Sequence, residues 1–177
     1  MTYRYLRVIF VGASVTLGGC CGLPSYTPAF WNDNGFVQGH NNCYNYANNK
    51  RTDTFAQPGR RAGAIYPQPI ACGGVYQAAL ADGLTPLPAS GKCSCKDTVA
   101  LVVDPGVDYH WYRRDQNAMW THKPGGTQAT NLDNSNNPIS NPETANRCGA
   151  WLCYTDFCGY MCSCSSSTEG QGHENIQ

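Results

Sequence analysis

The sequence predicts an α+β domain, because two helix-like segments, 43–49 and 75–82, precede a set of apolar and aromatic strand-like runs between residues 99 and 123, with no internal repeat. Residues 22–36, rich in Pro, Ser, Asn and aromatics without periodicity, read as a tether packing onto the domain. Asn41–Asn49 opens the first helix, although its Asn residues are poor helix formers. Between Thr52 and Gly74, Pro58-Gly59, Pro67 and Pro69 mark a long irregular loop. Val75, Ala78, Ala79 and Leu80 give the second helix its apolar face, and Gly83 ends it. Val99–Val103 is an apolar strand closed by Asp104-Pro105-Gly106. Two aromatic-rich strands follow, Val107–Arg113 and Met119–Lys123, around the turn Asp115–Ala118. Thr127–Asn146 is a loop, a Cys-dense stretch runs to Cys164, and Ser165–Gln177, with almost nothing to bury, reads as disordered.

The start of the chain bears on destination. Arg4 and Arg7 precede an apolar run, Val8–Leu17, too short for a membrane-spanning helix and suited to a secretory signal. Leu17-Gly18-Gly19-Cys20 resembles a bacterial lipobox, which implies cleavage before Cys20, lipidation of that residue and a membrane anchor in the cell envelope, on either periplasmic or outer surface. The chain divides on this reading into a signal peptide (1–19), a lipid-anchored tether (20–35), a domain (36–164) and a tail (165–177). Lys and Arg balance Asp and Glu at 12 each, and losing Arg4 and Arg7 leaves a formal charge of −2. That weak charge excludes an electrostatic nucleic-acid binder. Eleven Cys agree with export into an oxidising compartment, where most would pair. The tight Cys93-Ser94-Cys95 and Cys162-Ser163-Cys164 pieces are expected to bridge to other segments. A zinc site from Cys93, Cys95, Cys158, Cys162 and Cys164 with a His is disfavoured, since oxidation competes for the thiols, and no metal or cofactor is expected.

Cys43 opens the first helix, and His110 lies on a strand downstream. A helix amino end and a neighbouring imidazolium both favour a thiolate, which is the nucleophile in cysteine chemistry. The Gln38 amide is placed to add an oxyanion donor, and Asn131 is the preferred residue to orient the imidazole, with His122 and Asp133 as alternatives. A four-residue turn would set His122 on the face opposite His110, while a three-residue loop would set both on one face; the sequence leaves both open. His40 is a possible substitute base.

Gln38-Gly39 followed by Cys43-Tyr44, with His110 and Asn131 in that order, resembles the papain-like cysteine peptidases, and the short helix, hairpin strands and lipoprotein signal resemble the NlpC-type cell-wall peptidases among them. Gln38 lies one position closer to the Cys than in the papain pattern. The resemblance implies an α+β fold with an N-terminal helix carrying the Cys on a small antiparallel sheet. It also implies an exported hydrolase cutting peptide or amide bonds of a peptidoglycan-like substrate. A transpeptidase or a secreted effector would use the same residues. The alternative is a non-catalytic, disulfide-stapled extracellular module that binds glycan or protein through Trp31, Trp111, Trp120 and Trp151. Nothing in the sequence sets the oligomeric state.

Overall fold

The computed structural model describes residues 22–63, 69–94 and 97–177. Its elements in chain order are α1 (Pro28–Asn32), α2 (Gly35–His40), α3 (Cys43–Ala47), α4 (Cys72–Ala81), β1 (Thr85–Pro86), β2 (Asp97–Asp104), β3 (Asp108–Arg114), β4 (Trp120–His122) and β5 (Asp156–Ser163). The strands form one sheet in the order β1-β5-β2-β3-β4, and every neighbouring pair is antiparallel.

This corrects the expected fold class. In place of a papain-like arrangement, the protein is a small disulfide-rich fold built on a mostly antiparallel five-stranded sheet with few short helices, of which only α4 reaches ten residues. The difference arises from β5. The Cys-dense stretch supplies a full strand that pairs with β2 along its length and also holds β1. A bulge where Val102 faces Phe157 and Leu101 faces Gly159 leaves Cys158 as the extra residue. From there Cys158 bonds to Cys72 at the start of α4, and Cys93 bonds to Cys162 further along β5. Cys148–Cys153 closes a short loop, and Cys164 is also disulfide-bonded.

The Asn residues that weaken helix propensity serve as caps and cross-links instead. Asn34 accepts from the backbone N–H groups of Phe36 and Val37 to cap α2. Asn42 accepts from Tyr44 and Asn45 while the Asn45 side chain accepts from the Asn42 N–H, a reciprocal box that starts α3. The 22–36 segment is therefore partly helical, and Trp31 is wholly buried edge-on to Tyr46.

Both faces of the central strand are covered, which explains the unbroken apolar run in β2. On one face Val99, Leu101, Val103 and Trp111 pack with Tyr44, Val75 and Ala79 of the helices. On the other, Ala100, Val102 and Tyr112 meet Trp120 and Ile139. Beneath the helices, Arg113 is fully buried, with its Nε 2.7 Å from Asp115 Oδ1 and its guanidinium 4.0 Å from the centre of the Tyr46 ring.

The segment expected to be disordered folds back. Gln171 bridges to Lys50, Ile176 is 3% exposed in the main core, and the Gln57 N–H donates to the Gln177 carbonyl. Gly172 permits this return, because a Cβ there would stand 1.9 Å from the Asn48 carbonyl oxygen. No helix among the described residues is long and apolar enough to cross a membrane.

Candidate functional site

Cys43 is the first residue of α3, and it is the one free cysteine among the described residues. It shares a cavity of about 100 Å³ with Asn42, Gln57, Tyr109, His110 and Tyr154. The rim is fixed by Tyr109, whose hydroxyl donates to Gln57 Oε1 at 2.7 Å, and by Tyr154, whose hydroxyl donates to Asp108 Oδ2 at 2.9 Å. No hydrogen bond joins Cys43 to His110.

The two histidines fall on one face of the sheet. Tyr112 pairs with His122 and Arg114 with Trp120, so the loop between β3 and β4 holds an odd number of residues and His110, Tyr112 and His122 share a side. His110 Nε2 lies 2.8 Å from His122 Nδ1, and His122 Nε2 lies 2.9 Å from the Leu132 carbonyl oxygen. A carbonyl only accepts, so His122 carries its proton on Nε2 and its Nδ1 accepts from His110 Nε2. This relay joins β3, β4 and the following loop, which also pairs His122 with Thr130.

The electrostatics of the cavity favour neutral groups. Burial pushes the Cys43 thiol up to about 12, outweighing the lowering by the Trp111 N–H. His110 is held well below its ordinary value by burial and then by His122, and burial takes His122 down to about 4. Lys123 is brought down to about 8, chiefly by burial, while its Nζ donates to the carbonyls of Gln38, Asn41 and Gly125. These shifts favour a protonated thiol and two uncharged imidazoles in the cavity at neutral pH.

The other sequence candidates make their hydrogen bonds elsewhere, although the charge of Asp133 reaches His122. Gln38 turns its amide to the Gly126 carbonyl at 3.4 Å, so it is not presented as an oxyanion donor. Asn131 donates to Met119 Sδ, and Asp133 accepts backbone N–H groups from Ser135, Asn137 and Asn146 to shape its own loop. The neighbour of His110 is therefore His122 and not Asn131. His40 stacks on Phe36 at the surface. Of the tryptophans named for a binding surface, Trp31 and Trp111 are wholly buried, Trp120 keeps only an edge at a surface cavity, and Trp151 is open, at 95%. Cys158 and Cys162 are in disulfides and are not available as zinc ligands. Cys20 and the signal segment lie outside the described residues. Sequence reasoning missed the Lys123 tripod and the Tyr154 wall, for which no local pattern stands out.

Comparison with known proteins redirects the reading. The chain is 48% identical over 136 residues to insoluble matrix shell protein 1 of Ruditapes philippinarum, covering 77% of this chain and 87% of that one. No family model matches, and no solved structure matches. A likeness of that extent to a molluscan shell matrix protein overturns the resemblance to papain-like and NlpC-type peptidases, which rested on a few short motifs. With it go the cysteine-hydrolase function and the bacterial lipobox reading of Cys20. Export stands, supported by the extracellular relative and the disulfides.

Proposed function

The chain belongs to the family of insoluble matrix shell protein 1, and from that premise we propose that it is a non-catalytic structural component of an insoluble extracellular matrix. The observation that carries this is identity at 48% along 87% of a protein named for that matrix. The architecture supports it. Two disulfides tie β5 to α4 and to the segment before β2, both sheet faces are covered, and the tail returns to the core. Such a body stays folded outside the cell with few segments open to attack. Cys43 and its histidines act here as an internal polar cluster, and the partners of the protein are polymers of the matrix rather than a small substrate.

The test is fractionation of a shell from the source organism, followed by peptide mass spectrometry. Peptides of this chain are expected in the residue that stays insoluble after the shell is dissolved. Recovery only from cells or from the soluble fraction would overturn the proposal.

A further inference from the structure

The face of the sheet turned away from α3 and α4 carries an open groove. Two adjoining cavities, of about 330 and about 300 Å³, share Gly91, Thr98 and Arg114 and so form one channel across the strands. The register explains its floor. Thr98 pairs with Cys162, Ala100 with both Tyr112 and Tyr160, and Arg114 with Trp120, which places Thr98, Arg114, Trp120 and Tyr160 on one side. The Trp120 and Tyr160 rings lie 5.7 Å apart and make an aromatic wall. Next to them, Asn141 Oδ1 accepts from the Tyr160 hydroxyl at 2.9 Å, while its Nδ2 donates to nothing among the described residues.

The charges in this groove are distinctive. Most described lysines and arginines are already engaged: Arg51 with Asp53, Arg113 with Asp115, and Lys50, Arg61, Lys123 and Arg147 with oxygens of other residues. Only Arg60, Lys92 and Arg114 have side chains with neither a hydrogen bond nor an ion pair among the described residues, and two of these three line the groove. Asp115 also lines it, but its carboxylate is taken by Arg113 Nε and the Thr121 hydroxyl. Glu143 lies near the Tyr160 end, where burial first and then its charge raise the Tyr160 pKa. An unpaired guanidinium with a free ammonium on its flank suits a carboxylate or sulfate oxygen pair. The aromatic wall and the spare amide suit a sugar ring and its hydroxyls.

We propose that this groove binds an acidic polysaccharide, with Arg114 and Lys92 holding an anionic group and Asn141 and the Trp120–Tyr160 wall meeting the sugar. The groove is a property of this chain whether or not the matrix reading holds. That reading is tested by where the protein is found, and the groove by binding in solution, so the two can fail separately.

The experiment measures affinity of the oxidised protein for alginate, which carries carboxylates, for chondroitin sulfate, which adds sulfate esters, for neutral dextran and for poly-aspartate. Binding to alginate or chondroitin sulfate that weakens with salt, at least tenfold in Arg114→Gln and less in Lys92→Gln, is the expected result. Arg114→Lys, which keeps the charge, should retain more affinity than Arg114→Gln, and Trp151→Ala should bind like the parent. The tighter of the two acidic chains identifies the preferred anionic group. Failure to bind either one, equal binding to poly-aspartate, or an Arg114→Gln variant that binds unchanged while keeping the parent's fluorescence spectrum would overturn the proposal.

Discussion

Removing the Cys72–Cys158 bond gives the most quantitative test of how this fold is held. The two residues are 86 apart in sequence, and a closed loop of that length taken alone restricts the unfolded chain by about 4.6 kcal/mol. The full amount is not expected, because Cys93–Cys162 ties the same regions together. The shortest circuit from Cys72 runs to Cys93, across to Cys162 and back to Cys158, only about 25 residues, which corresponds to about 3.5 kcal/mol. The Cys148–Cys153 bond, spanning 5 residues, serves as the internal control at about 2 kcal/mol. Urea unfolding followed by tryptophan fluorescence reads both, since Trp31, Trp111 and Trp120 are buried. With an m-value near ~2 kcal/mol/M, the C72A/C158A variant should unfold at a midpoint lower by roughly 1.5–2 M, and C148A/C153A by about 1 M. A C72A/C158A loss below about 2 kcal/mol, or one smaller than that of C148A/C153A, would refute the circuit argument.

Three further outcomes are expected. His122, held near 4 in the folded protein against about 6.5 when unfolded, binds fewer protons in the native state, so its contribution is complete above pH ~6.5 and is lost as pH falls toward ~4. The parent should therefore lose up to about 3 kcal/mol more than His122→Gln between pH 7 and 4, and parallel losses in urea midpoints would contradict this. Cys43 should resist iodoacetamide at pH 7.5 in the native protein and react on unfolding; rapid native labelling at mildly acidic pH would show that its thiol is not held protonated. Lys123→Met strands the carbonyls of Gln38, Asn41 and Gly125 and should cost about 3 kcal/mol, with unchanged thermal stability as the disproof.

The parts of the fold legible in sequence are those where one local signal dominates. Val99–Val103 is an unbroken apolar run because both of its faces are buried, and it falls inside β2. Cys43 begins a helix because Asn42 caps it. β5 was not legible, because Gly159 and two bonded cysteines interrupt any alternation and its bulge shifts the register midway. The tail was missed for a similar reason: Ile176 is a single apolar residue among polar ones, and only Gly172 lets the backbone approach close enough to bury it. At the site, the Cys and His that line one cavity came from separate elements that each left a trace. The choice between Asn131 and His122 turned on the length of one loop, which no residue type fixes. Function was not legible at all from the Gln-Gly and Cys-Tyr pairs, since motifs that short recur without the rest of a family, and likeness over 136 residues weighs more.

The position of β5 has a consequence for the order in which the molecule assembles. This strand comes late in the chain yet lies second in the sheet, between β1 and β2, and it carries both Cys158 and Cys162. The β2–β3 hairpin is local and can form early, but until residues 156–163 arrive its β2 edge is open to any other strand. Closure of the sheet and oxidation of Cys72–Cys158 and Cys93–Cys162 are then one late event. Slow or incomplete oxidation would leave nascent molecules able to join edge to edge, so the rate of disulfide formation governs whether this chain matures singly or enters aggregates before it is folded.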